Sequence, residues 1–260
     1  MDNLPSGFFG IVGLFIGSFL NVCIYRLPRR ESLSWPGSHC PACGRNLTVT
    51  DLVPVLSYLA LRGKCRTCGA KISPRYPFIE LLTGIAFHWS AEHAGGNAAE
   101  MAASMLLLSG MIVVFFTDLD HWIIPDKLLL PLALAGLVLS VFRGMFVDSI
   151  EAAAIGFLGF YAIAILGTAA LKKEAMGGGD IKLAGVIGLY LGTKNMLAGF
   201  FLAFLFGALV SIPMLLSRKR GSGDPLPFGP MMALGAVAAL VKGPELLEWY
   251  GDWMAKLWLY

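Results

Sequence analysis

Residues 101–126 read MAASMLLLSGMIVVFFTDLDHWIIPD, and their first two thirds decide the fold. From Met101 to Thr117 no residue carries a charge. A helix of that length rises about 25 Å, most of the roughly 30 Å of hydrocarbon in a bilayer. Working outward, further apolar stretches lie near 7–25, 77–94, 128–142, 152–171, 183–192, 196–216 and 230–241. Over all 260 residues, 57% are hydrophobic and 14% charged, with a mean hydropathy of +0.71. A soluble domain carries about 25% charged residues, so an ordinary soluble enzyme is excluded. The expected fold is an all-α polytopic membrane protein of about eight transmembrane helices with a small zinc-bound cytoplasmic loop domain. The sixth and eighth stretches are short for full spans, which leaves seven as the other count.

Lys and Arg retained in loops mark the cytoplasmic side. With the first loop inside, the inner segments hold 16 of the 20 basic residues: nine between Arg26 and Arg75, Lys127, then Lys172, Lys173 and Lys182, then Arg218, Lys219 and Arg220. Arg143, Lys194, Lys242 and Lys256 remain outside, with both termini. The stretch 7–25 follows Asp2 and no Lys or Arg, so it lacks the basic start of a cleaved signal peptide and reads as a retained first span. The expected organisation is a first helix over 1–25, a polar loop over 26–76, a membrane domain over 77–245 and an interfacial segment over 246–260. The last carries Trp249, Tyr250, Trp253, Trp258 and Tyr260, aromatic rings that suit the headgroup region.

The polar loop contains Cys40-x-x-Cys43 and Cys65-x-x-Cys68, each continuing as C-x-x-C-G-x-x-apolar. Two thiolates on a tight turn can share one metal, and a Gly after the second Cys accepts the left-handed backbone such a turn needs. Four thiolates make a closed tetrahedral zinc site, structural in role because no coordination position stays open. Two disulfides are the competing reading, disfavoured in a reducing compartment. Metal binding would supply much of the loop's folding energy. Cys23 lies within the first span and reads as packing.

Ionisable residues at membrane depth are costly and point to function. Asp118 directly follows its apolar run, and Asp120 lies about 200° further round a helix, so only one of them can face a given site. Asp180 follows Gly177-Gly178-Gly179 between the fifth and sixth stretches, where glycine entropy predicts irregular backbone. The topology puts Asp118 and Asp180 on one face at similar depth. Two carboxylates about 3 Å apart share a proton, one acting as base on water while the other protonates a scissile carbonyl. The plainer readings are an N-cap for Asp180 and a boundary carboxylate for Asp118. The four histidines are scattered, and no Ser-His-Asp or Cys-His arrangement competes.

The full set of motifs is Gly17-Ser18-Phe19-Leu20-Asn21-Val22 with Arg26-Leu27-Pro28, the tetracysteine loop, and Arg75-Tyr76-Pro77-Phe78-Ile79-Glu80. It continues with Asp118-x-Asp120, Ile124-Pro125-Asp126, G-x-G-D at Gly177 to Asp180 with Lys182, and Pro227-Phe228-Gly229-Pro230. In this order and over nearly the whole length the chain resembles the type IV prepilin peptidases, the bifunctional prepilin leader peptidases and N-methyltransferases of bacterial pilus and type II secretion systems. The resemblance implies catalysis by Asp118 and Asp180. It also implies zinc on Cys40, Cys43, Cys65 and Cys68, prepilin and pseudopilin substrates cut after a basic leader, and a multi-pass place in the bacterial inner membrane with the active site facing the cytoplasm. It further implies methylation of the new N-terminus by S-adenosylmethionine, for which Gly63, Lys64 and Glu80 are the candidate residues. No strand followed by G-x-G-x-x-G signals a Rossmann fold, so methyl transfer rests on the resemblance alone. Nucleic acid is not an expected partner. The alternatives are a peptidase without methylation, a proton-coupled transporter, and a non-catalytic pilus assembly factor; a transporter should show an inverted repeat, and none is visible.

Overall fold

The structure, a computed structural model, describes residues 5–216 and 227–258. Arg218, Lys219, Arg220 and Tyr260 of the sequence reading lie outside the described residues, as do the side chains of Trp249, Tyr250, Trp253 and Trp258. Among the described residues the regular structure is helical, with only two isolated bridges, His39 to Asn46 and Lys64 to Lys71. The chain divides into two compact units, residues 1–113 and 114–260.

The first unit holds α1 (Ser6–Arg26), a single 3-10 turn (Val49–Asp51), α2 (Leu56–Ala60), α3 (Arg75–His93) and the start of α4 (Ala98–His121). Helices α1 and α3 meet through glycine. A Cβ at Gly13 would lie 2.7 Å from the Thr83 carbonyl oxygen, and one at Gly17 would lie 2.7 Å from the Glu80 Cα. Lipid tails are as apolar as leucine, so helices in a bilayer associate through such close backbone packing rather than through hydrophobic drive. The buried Asn21 is satisfied between the two helices, its amide donating to Gly17 O at 3.2 Å and Tyr76 O at 3.1 Å.

The second unit holds the end of α4, α5 (Asp126–Phe142), α6 (Phe146–Leu171), α7 (Gly178–Leu216) and α8 (Gly229–Trp258). Helix α7 is its axis. It packs on α6 where a Cβ at Gly188 would lie 2.6 Å from Ala152 C, and on α8 where one at Gly235 would lie 2.2 Å from Gly199 O. Tyr190 of α7 donates its hydroxyl to Leu132 O of α5 at 2.8 Å, so its one polar group is satisfied in the core. At Gly192 the backbone turns to φ 69°, ψ 173°, a region open essentially to glycine alone, and α7 kinks. Asp148 of α6 accepts the Thr193 amide at 3.2 Å, covering a donor that the kink frees.

Four helices, Ser6–Arg26, Ala98–His121, Phe146–Ala170 and Gly178–Ile212, are long and apolar enough to cross a membrane. With the composition they identify a membrane protein. All eight apolar stretches fall on helix. The sixth and seventh are two helical segments that meet directly at the break at Gly192, where Asp148 accepts the Thr193 amide, with no polar loop between them. Helix α8 runs to Trp258 without a break at 246.

Candidate active site

Helix α4 ends at His121, Trp122 turns left-handed with φ 59°, and extended Pro125 precedes α5. Asp118, in the last turn of α4, is 6% exposed, whereas Asp120 is exposed. The 200° between them therefore sends one carboxylate inward and the other outward.

Asp180 is the third residue of α7 and half-buried. Its backbone N–H donates to Gly177 O at 3.1 Å. Gly178 and Gly179 are helical, so the irregular backbone expected across all three glycines stops at Gly177, and Asp180 sits inside the helix rather than at its N-cap. Packing overrides glycine entropy here. A Cβ at Gly179 would lie 3.0 Å from Ile124 Cβ, and one at Gly177 would lie 3.3 Å from Asp180 Oδ2. A Cβ at Gly178 would meet nothing within 4 Å. The two fixed glycines of G-x-G-D are thus the two whose missing side chains are used, one by the carboxylate and one by the segment after α4.

Ile124, just after α4, packs on Gly179, so Asp118 and Asp180, 62 residues apart in sequence, stand at adjoining helix ends. A third element completes the group. The Gly229 amide, at the start of α8, donates to Asp118 Oδ2 at 2.9 Å. A Cβ at Gly229 would stand 2.7 Å from the same oxygen, so the close approach requires glycine. Asp126 and Lys182 form an exposed ion pair, Nζ to Oδ1 2.8 Å and to Oδ2 2.9 Å, linking the first turns of α5 and α7.

In the first unit the two cysteine half-sites have matching turns. Cys40 N donates to Arg45 O at 2.9 Å and Gly44 N to Cys40 O at 2.8 Å; Cys65 N donates to Ala70 O at 2.8 Å and Gly69 N to Cys65 O at 2.9 Å. Gly44 and Gly69 are left-handed, φ 70° and 72°. The four sulfurs lie within 4.8 Å of one another, with Cys40 Sγ and Cys68 Sγ 3.9 Å apart. Tetrahedral zinc with bonds of about 2.3 Å needs sulfurs about 3.8 Å apart, so the donor set fits. Backbone N–H groups of Cys68 and Thr67 lower the Cys65 thiol, toward the thiolate that a metal requires, while desolvation and the neighbouring cysteines raise Cys68. Asp51 joins the half-sites, ion-paired with Arg45 of the first and accepting Arg66 Nε of the second at 2.9 Å, while Arg45 reaches Thr67 Oγ1 at 2.8 Å. The Thr48 backbone and hydroxyl, with Arg66 and Arg45, hold the Asp51 carboxyl down at about 2.

Two family models cover most of the chain: the bacterial peptidase A24 N-terminal domain over residues 11–94 and the type IV leader peptidase family over residues 105–212. A Myxococcus xanthus prepilin leader peptidase/N-methyltransferase is 41% identical over 84% of this chain and 68% of its own length. One from Bacillus subtilis is 37% identical over 92% and 95%. The type 4 prepilin-like proteins leader peptide-processing enzyme of Escherichia coli is 34% identical over 88% and 90%. The chain belongs to the type IV leader peptidase family. No solved structure matches it.

For this leader peptidase family member the N-terminal match contains the tetracysteine loop, and the second match contains both Asp118 and Asp180. Of the residues expected to serve methyl transfer, Gly63 is buried with φ 66° and packs under Tyr58, a Cβ there lying 2.9 Å from the Tyr58 hydroxyl. Lys64 is exposed. Glu80 is buried on α3, accepting the Val55 amide on Oε2 at 2.8 Å. Glu80 and Gly63 therefore border the same short stretch, Val55 to Tyr58. Val55 is itself unusual for a β-branched residue, with φ 60°, ψ −50° and Leu56 N donating back to Pro54 O at 2.5 Å, a strained γ-turn. Sequence reasoning missed two of these contacts, Gly229 on Asp118 and Val55 on Glu80. The Pro227-Phe228-Gly229-Pro230 motif was the only trace of the first.

Proposed function

We propose that the chain is a membrane aspartyl endopeptidase that removes the basic leader of prepilin-like proteins at the cytoplasmic membrane face, and that it methylates the new N-terminus. The observation that carries the peptidase reading is the buried Asp118, held by the Gly229 amide, with the segment that leaves α4 packed through Ile124 on Gly179 beside Asp180. With Oδ2 engaged by that amide, Oδ1 of Asp118 is left for water. One carboxylate takes a proton from the water as its oxygen attacks the scissile carbonyl carbon, and the other donates its proton to the carbonyl oxygen. The resulting gem-diol collapses by breaking the C–N bond as a proton passes to the leaving nitrogen. The products are the leader carboxylic acid and the free amine of the mature protein, and the pair returns to its starting protonation.

Names of the relatives support the second activity, in which that amine, once deprotonated, takes the methyl group from the sulfonium of S-adenosylmethionine. We assign this step to the first unit, near Gly63, Lys64 and Glu80. Cys40, Cys43, Cys65 and Cys68 would hold zinc, which there supplies structure rather than chemistry. We place the site at the cytoplasmic face of a bacterial inner membrane, with eight crossing segments of which α7 contributes two; the concentration of Lys and Arg in the first loop supports this reading.

The test is incubation of the purified protein with a prepilin and S-adenosylmethionine, reading product mass. Loss of the leader plus one methyl is expected. Asp118→Asn and Asp180→Asn should each abolish leader loss while the protein still inserts; wild-type cleavage by either rejects the pair.

A further inference from the structure

Residues 52–61 belong to a loop that sequence assigns to water, yet the structure fixes them below the end of a membrane helix. Helix α1 has 21 residues, about 31 Å of rise, and fills a hydrocarbon layer by itself. Glu80 of α3 lies level with Gly17 of α1, since a Gly17 Cβ would be 2.7 Å from Glu80 Cα. Gly17 precedes Arg26 by nine residues, about 13 Å along the axis. Glu80 Oε2 holds the Val55 amide at 2.8 Å. Even an extended glutamate side chain leaves Val55 several ångströms below the α1 terminus.

The side chains around Val55 suit that depth. Leu56 and Leu59, one turn apart on α2, are 66% and 64% exposed, and Leu52 is exposed beside them. Arg62 and Lys64, both exposed, follow directly. Apolar side chains next to basic ones form the pattern of a segment lying about 5–10 Å into the boundary between headgroups and acyl chains. On α1, Phe15 and Phe19 flank Gly17 in sequence and are exposed at that level.

We propose that residues 52–61 are an interfacial wedge, with Leu52, Leu56 and Leu59 against lipid chains and Arg62 and Lys64 at the phosphates of the same leaflet. The Val55 turn, pinned by Glu80, holds the wedge at its level. The zinc loop is then seated in the membrane surface between its two half-sites rather than tethered above it. The inference rests on α1 crossing the bilayer and is independent of the peptidase chemistry.

The experiment places p-benzoylphenylalanine at position 56 of the full chain, reconstituted in vesicles of phosphatidylcholine and phosphatidylglycerol, with position 11 on the exposed face of α1 as the lipid-facing reference. Position 59 serves as the second variant if the first is not monodisperse. After irradiation, mass analysis should find lipid attached at 56 or 59 with a yield comparable to that at 11. Loss of the lipid adduct at 56 and 59 while position 11 still labels would overturn the proposal. Cross-linking there to protein, whether this chain or a second copy, in place of lipid would do the same.

Discussion

Replacing Gly229 by alanine tests the site at its least obvious point. The added Cβ would stand 2.7 Å from Asp118 Oδ2, 3.0 Å from Cγ and 3.2 Å from Cβ. Such distances are well inside van der Waals contact, and Asp118 is buried on a helix end, so relief must come from turning the carboxylate or shifting the start of α8. Either motion lengthens the 2.9 Å bond from the Gly229 amide. A hydrogen bond to a charged group is worth about 1.5–3 kcal/mol. At about 1.4 kcal/mol per factor of ten, its loss lowers cleavage roughly 10- to 100-fold, similar to the ~10²-fold cost of displacing a catalytic group by about 1 Å. On the proposed mechanism the effect should fall on kcat, since the amide would orient a reacting carboxylate rather than bind substrate. The assay is steady-state cleavage of a prepilin by Gly229→Ala, with Gly178→Ala beside it. Position 178 opens on space, so the second variant should cleave within about twofold of the parent, with helix propensity mildly in its favour. A folded Gly229→Ala enzyme with unchanged kcat would refute the reasoning, as would equal losses from both variants.

Three further outcomes follow from the same geometry. Gly192→Ala puts a Cβ 2.1 Å from Asp148 Oδ2 at a backbone conformation closed to alanine, so it should destabilise the second unit by at least about 1–3 kcal/mol, read as a lower thermal midpoint in detergent. Asp51 has its carboxyl held near 2, below its ordinary value of 3.8, so its contribution to the loop is complete above about pH 4 and disappears as pH falls toward 2. Asp51→Asn should therefore increase protease cutting within 38–72 at pH 7, and its difference from the parent should vanish near pH 2. The proposed site would hold one zinc per chain, measured by elemental analysis; changing Cys40 and Cys65 together to serine should abolish it and loosen the same region, and zinc-free protein purified without chelator would count against the site.

Local chemistry was readable and long-range chemistry was not. Each cysteine half-site is a short turn whose glycine and thiols are neighbours in sequence, so spacing alone anticipated the left-handed Gly44 and Gly69. The break in hydropathy at Gly192 likewise marked the kink in α7. Helical period separated Asp118 from Asp120, but only the packing of α4 shows which one is buried. Glycine entropy predicted irregular backbone through Gly179, and contact with Ile124 reversed it. The amides of Gly229 and Val55 reach carboxylates 111 and 25 residues away, and a backbone donor leaves no residue type to recognise.

The open position in G-x-G-D offers a vantage point on the reaction. A fluorinated side chain introduced at 178 would sit two residues from Asp180, on a Cβ that meets nothing within 4 Å. Its resonance would report the electrostatic state of the acidic pair throughout turnover, in an enzyme whose working parts are left as they were.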